Sequence, residues 1–151
     1  MQNLTQVTEV EITYKSKQKP SERTKIMRSS ESVDVFRTIQ EFNANMEYKE
    51  MFYVMYLNRG NKILSVIKIS EGGTAGTVVD TKHIMQGAIL QNASSMILCH
   101  NHPSGECRPS QADIDITNRI KQGAKLFDIG LLDHVILTPE SFYSFADEGQ
   151  I

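Results

Sequence analysis

Cysteine is scarce in this 151-residue sequence: only Cys99 and Cys107 occur. Two thiols eight positions apart do not make a disulfide framework, and a reducing cytoplasm is the expected compartment. Long apolar runs are missing too. Stretches such as residues 95–99 fall far short of the ~20 needed to cross a bilayer. The opening Met-Gln-Asn-Leu-Thr-Gln offers neither a basic nor an apolar region, so no secretory signal is readable. Net charge is only -2, which argues against a general polyanion binder. No internal repeat or low-complexity block occurs. His-Glu-x-x-His is absent, as is the His-x-Glu with Pro-Cys-x-x-Cys of zinc deaminases. Gly72, Gly73 and Gly76 match neither a P-loop nor a dinucleotide fingerprint.

What is present is an ordinary single-domain composition, 40% hydrophobic and 23% charged. A chain of this length buries roughly 70% of its unfolded surface and needs no metal or disulfide to fold. A metal here would serve chemistry or local order. Val10, Ile12 and Tyr14 alternate as a short strand does. Residues 15–28 carry six basic residues and one acidic residue around Pro20. This arm reads as a solvated connector or as a contact for nucleic acid or an acidic partner; no aromatics interleave for base stacking. We divide the chain into a strand and basic arm, 1–32, and a domain, 33–151.

At the junction, Ser29 and Ser30 offer N-caps for a helix whose apolar stripe is Val35, Phe36, Ile39 and Phe42. Residues 51–57 and 62–69 read as strands around the turn Asn58-Arg-Gly-Asn61. Asp80 can cap a helix bearing Ile84, Met85, Ala88 and Ile89. A buried strand over 95–99 and a polar loop follow. Next comes a helix over 111–127, with Ile116, Ile120, Ala124 and Phe127 inward and Gly130 as its stop. A strand over 131–137 and a packed segment over 141–145 end the chain. Strands and helices mix around one sheet, an α/β or α+β pattern.

The chemistry concentrates between His100 and Asp113. His100 and His102 lie two apart at a strand end, so both rings can share one side, and Pro103 favours extended backbone before it. Two neutral imidazoles and a carboxylate make three-quarters of a tetrahedral zinc site. Asp113 is the candidate third ligand. Ser110-Gln-Ala-Asp113 also reads as a helix-capping pattern, but Asp113 lies one turn before Ile116 on the inward side, where a carboxylate needs a cation or several hydrogen bonds. Cys99 alternates into the core, Cys107 is not read as a ligand, and His134 reads as a hydrogen-bonded buried residue.

His-x-His, seven residues, Ser, two residues, Asp is the JAMM signature. With His100-Asn-His-Pro-Ser-Gly105, Pro109, Asp133-His134 and Ser144-Phe-Ala-Asp-Glu-Gly149, the chain resembles the RadC-type branch of the JAB/MPN metalloprotease superfamily. The resemblance runs from about residue 33 to 151; the helix-hairpin-helix region that precedes this domain in many such proteins is replaced by the strand and basic arm. It implies a three-layer, cytidine-deaminase-like α/β fold with a mixed sheet flanked by helices. It further implies Zn²⁺ on His100, His102 and Asp113, an acidified water, and hydrolysis of peptide or isopeptide-like amide bonds in a peptide or protein substrate. Ser110 matches the family serine that hydrogen-bonds the oxyanion, or is simply the N-cap. Family hydrolases use an upstream glutamate as base. Counting back from His100 places that residue at His83, which is then either a histidine base or a surface residue beside an inactive site; Glu71 and Glu106 are other nearby carboxylates. The alternative function is a zinc-binding module with little or no catalysis, associated with DNA repair or other DNA-processing partners.

Overall fold

The computed structural model describes residues 11, 13, 15–73 and 77–151; the strand expected over Val10, Ile12 and Tyr14 lies outside the described residues. One five-stranded mixed sheet organises the chain. Its strands are β1 (Met51–Leu57), β2 (Ile63–Glu71), β3 (Ser95–Asn101), β4 (Gly130–Leu137) and β5 (Phe142–Ser144), in spatial order β2-β1-β3-β4-β5. Only β3 and β4 run parallel; the other neighbours are antiparallel. A parallel pair needs a crossover, and helix α4 (Gln111–Lys125) provides it.

Strand alternation splits the core in two. Met51, Tyr53, Met55, Leu57, Ile97 and Cys99 face helices α1 (Ser29–Arg37) and α2 (Gln40–Ala44). Phe52, Val54, Tyr56, Met96 and Leu98 face α4 and helix α3 (Thr81–Leu90). Both faces of β1 and β3 are therefore apolar, as strands covered on both sides must be. The result is a three-layer α/β architecture. Phe36 and Phe42 are fully buried on one side, each contributing about 1.5–3 kcal/mol of apolar burial. On the other, the Tyr56 hydroxyl donates to the Ile84 carbonyl at 2.9 Å. A Cβ on Gly87 would sit 2.5 Å from that hydroxyl oxygen, which is why α3 carries glycine there.

The expected helix after residue 28 is two helices, broken at Thr38 and Ile39. Ser29 and Ser30 do not cap the first. The Glu31 carboxylate reaches back to the amides of Met27 and Arg28 at 2.6 and 3.3 Å, while Ser29 donates to Asp147. Asp80 caps α3 as expected, accepting from the Lys82 amide; Ile89 faces outward, 48% exposed. Helix α4 ends at Lys125, so Phe127 is 55% exposed rather than inward. Its stop is Asp128 in the left-handed region, φ 56°, with the Ile129 amide returning to the Ala124 carbonyl; Gly130 already belongs to β4. Residues 24–26 of the basic segment dock on the β1–β2 hairpin. The Ile63 amide donates to the Thr24 carbonyl, Ile26 donates to the Asn61 carbonyl, and the Ile26 side chain is buried. Among the described residues no helix is long and apolar enough to cross a membrane.

Candidate metal centre

Strand β3 extends two residues beyond the expected 95–99, and that extension builds the site. His100 pairs with Phe52 of β1 and Ile136 of β4, and the His102 amide still donates to the Leu137 carbonyl at 3.0 Å. Both histidines therefore stay in strand register and project to the α3/α4 face. Asn101, between them, projects to the other face. Its Oδ1 accepts from the Met51 amide at 2.8 Å, and its amide donates to the Met46 and Lys49 carbonyls at 2.7 and 2.9 Å.

Asp113, in the first turn of α4, meets the two rings. His100 Nε2 lies 3.1 Å from Asp113 Oδ1 and His102 Nε2 lies 3.3 Å from Oδ2. The two Nε2 atoms are 2.9 Å apart. Ligands about 2.0–2.1 Å from a shared tetrahedral ion stand roughly 3.3 Å from one another. The three donor atoms thus already have nearly the spacing of ligands around one small cation. The capping bonds of Asp113 are compatible with its facing the histidines: Oδ2 accepts from the Ser110 amide and hydroxyl at 2.7 and 2.8 Å, leaving Oδ1 turned to His100. Ser110 Oγ in turn accepts from the Asp113 amide.

Charge and burial explain the titration of this cluster. Burial acts to raise Asp113, but hydrogen bonds from His100 and His102 outweigh it and hold the carboxyl well below the usual range. His102 is raised, first by its hydrogen bond to Asp113, against burial and with help from the Glu106 carbonyl. That carbonyl lies 2.7 Å from His102 Nδ1, so Nδ1 carries a proton and Nε2 is the nitrogen available to a metal. His100 Nδ1 lies 2.8 Å from Nε2 of His134 on β4. His134 is fully buried, stacked on Phe145 with centroids 5.0 Å apart and edge-on to Phe52. Burial pushes its pKa well down, so the ring is neutral.

A groove of about 700 Å³ opens over the cluster, lined by His102, Ser110 and Asp113 and walled by Phe52, Val79 and Ile116. Glu50 also lines it. Burial raises the Glu50 carboxyl; the two histidines oppose this, Asp113 adds to it, and the Thr77 amide opposes it. Sequence reasoning missed Glu50. The signal available was a lone carboxylate immediately before the seven-residue apolar strand β1. The antiparallel register that sets Phe52 against His100 brings Glu50, two residues before Phe52, to the groove end of the sheet beside His102. Asn101 then fixes it, because the backbone it holds at Met46, Lys49 and Met51 is the turn into Glu50.

The residues named as alternatives lie elsewhere. His83, in the first turn of α3, has a side chain 63% exposed beside Asp80 and is not among the groove-lining residues. The counting that selected it followed chain position, whereas the sheet brings a different segment to the histidines. Glu71 is engaged by Lys49 and Lys68. The Glu106 carboxylate accepts from the Arg108 amide. Cys99 is buried in the α1/α2 core, and Cys107 Sγ contacts Ser141 Oγ. Among the described residues, His100, His102 and Asp113 form the one group of three or more His, Cys, Asp or Glu side chains placed to share an ion.

The profile of a family described as "RadC-like JAB domain" matches residues 28–150. A "UPF0758 protein" of Flavobacterium johnsoniae is 41% identical over 133 residues, 88% of this chain and 58% of the relative. One of Porphyromonas gingivalis is 43% identical over 115 residues, 76% of this chain and 50% of the relative. The chain therefore spans about half the length of the curated relatives it matches.

Proposed function

The chain belongs to the RadC-like JAB domain family, and from that premise we propose that it is a zinc-dependent hydrolase of peptide or isopeptide-like amide bonds. The observation that carries this reading is the placement of a half-buried carboxylate, Glu50, in the groove that opens over the His100, His102 and Asp113 donors. Two imidazole nitrogens and one carboxylate oxygen at tetrahedral spacing suit zinc and leave a fourth position open. When bound, zinc supplies Lewis acidity, polarising a carbonyl and lowering the pKa of water.

The rest of the work falls to side chains of this chain. Glu50 is the general base: one carboxylate oxygen takes a proton from the attacking water and returns it to the nitrogen of the departing amine. Its raised pKa, due first to burial, strengthens it as a base. Phe52, Val79 and Ile116 exclude bulk water and seat an apolar substrate side chain. Ser110 serves the oxyanion by turning its proton from Asp113 Oδ2 toward the substrate oxygen, a role worth roughly 3 kcal/mol for such donors. The alternative of an inactive module arose from the lack of an upstream carboxylate, and the position of Glu50 in the groove favours the enzyme reading over it.

Zinc-loaded protein incubated with a peptide library, with chelator-treated protein in parallel, tests the proposal. Metal-dependent amide cleavage is the expected result. Fully zinc-loaded protein that cleaves no member of the library overturns the enzyme reading.

A further inference from the structure

Two side chains behind the metal centre, Thr117 and His134, link Asp113 to His100 in a hydrogen-bond chain in which every proton position is dictated by the one before it. It begins at the Asp113 main-chain carbonyl, which can only accept. Thr117, one turn further along α4, therefore donates its hydroxyl proton to that oxygen, at 2.5 Å. Thr117 Oγ1 is also 2.6 Å from His134 Nδ1. With its one proton spent, the hydroxyl accepts there, so Nδ1 of His134 carries the hydrogen. The His134 ring is fully buried between Phe145 and Phe52, with only Thr117 and His100 as ring hydrogen-bond partners among the described residues. It has no anion beside it to balance a second proton, so its Nε2 is bare and accepts from His100 Nδ1 at 2.8 Å. His100 Nδ1 therefore carries a hydrogen, which leaves Nε2 as the nitrogen that faces Asp113 Oδ1 and would ligate an ion placed between them. Both ends of the chain are thus residues of the metal cluster.

We infer that Thr117 and His134 are positioning residues that dictate which nitrogen of His100 faces the metal. Neither touches the ion or the substrate; both act through His100. The two ligand histidines are oriented by different means. His102 relies on the backbone carbonyl of Glu106 in the loop, whereas His100 relies on a buried side-chain relay anchored in α4. The relay also imposes on His134 the Nδ1–H tautomer, the minor form of a free neutral imidazole. Its ring has no freedom to escape this by turning, being packed between Phe145 and Phe52. Hydrogen-bond partners of this kind, one step removed from the metal, typically change metal affinity 10- to 100-fold when lost.

The inference rests on the reading that His100, His102 and Asp113 hold a metal, and its test separates the two. Long-range ¹H–¹⁵N spectra of the histidine rings report the His134 tautomer with and without zinc. The relay requires Nδ1–H in both states, together with a coupling across the hydrogen bond from His100 Nδ1 to His134 Nε2 in the zinc form. Thr117→Val, nearly isosteric, removes the hydroxyl, and Thr117→Ser keeps it. Zinc titrated alone against a chromophoric chelator should bind Thr117→Val about tenfold or more weakly, with Thr117→Ser within about threefold of wild type. His134 should leave the Nδ1–H form in Thr117→Val while His102 remains unchanged. An Nε2–H tautomer for wild-type His134 overturns the inference without any variant. So does Thr117→Val that binds zinc as wild type does, or Thr117→Ser that is as weak as Thr117→Val. Wild-type protein that binds no zinc overturns the metal reading instead, and the His134 tautomer then still decides whether the relay exists.

Discussion

Strand β3 shows its two faces different chemistry within three residues. On the α1/α2 side, Asn101 ends a wall of apolar side chains and spends its whole amide on backbone groups. On the α3/α4 side, His100 and His102 keep one nitrogen each for a neighbour and present the other to Asp113. One face fixes where the chain goes and the other leaves binding capacity unspent. The faces are nonetheless linked, since the turn that Asn101 holds delivers Glu50 to the groove on the opposite side. Structure on one face sets chemistry on the other.

The sharpest way to separate the faces is Glu50→Gln, which alters the groove and leaves the fold alone. Removing the base should lower kcat by about 10²–10⁴ with zinc content unchanged, measured by steady-state cleavage of whichever peptide wild type turns over. Equal turnover would remove Glu50 from the mechanism. Asn101→Ala attacks the other face. It strands the Met51 amide and the Met46 and Lys49 carbonyls, and should cost roughly 2–4 kcal/mol in urea unfolding. Residual folded protein should lose turnover more than zinc, because the turn into Glu50 loosens while the ligands stay on β3 and α4.

Acid–base behaviour sharpens the contrast further. In metal-free protein Asp113 is depressed and His102 raised. The depressed acid stabilises above its unfolded pKa of about 3.9 and loses that contribution as pH falls; the raised histidine stabilises below about 6.5 and loses it as pH climbs through its folded pKa. The stability difference between wild type and Asp113→Asn should therefore be greatest between about pH 4 and 6.5 and shrink on both sides, read from urea midpoints across pH. Zinc binding should weaken on acidification, since His102 must be neutral to ligate. The smallest effect belongs to His83→Ala. An exposed side chain outside the groove should change stability by no more than about 0.5 kcal/mol and leave zinc content and turnover as they were. A large drop in kcat with zinc retained would return His83 to the base's role.

How much was legible in the sequence follows from distance along the chain. His100, His102, Ser110 and Asp113 fall within fourteen residues, so spacing and helix phase were enough to bring them together. The strands and the helix caps at Asp80 and Ser110 were legible for the same local reason. Glu50 was not, because its place depends on the antiparallel pairing of β1 with β3 across 50 residues, which no spacing rule encodes. The break at Thr38 and the exposure of Phe127 were hidden by an apolar periodicity that continues past the ends of the real helices. The Thr117–His134 relay was half visible: His134 was read as a buried, hydrogen-bonded residue, but its partners lie on other elements.

The central claim is that the α3/α4 face holds a metal, and elemental analysis tests it most directly. After reconstitution and removal of excess ion, wild type should retain about one zinc per chain, and Asp113→Ala or His100→Ala should retain almost none. Folded wild-type protein that holds well below half an equivalent, or variants that hold as much as wild type, would contradict the account.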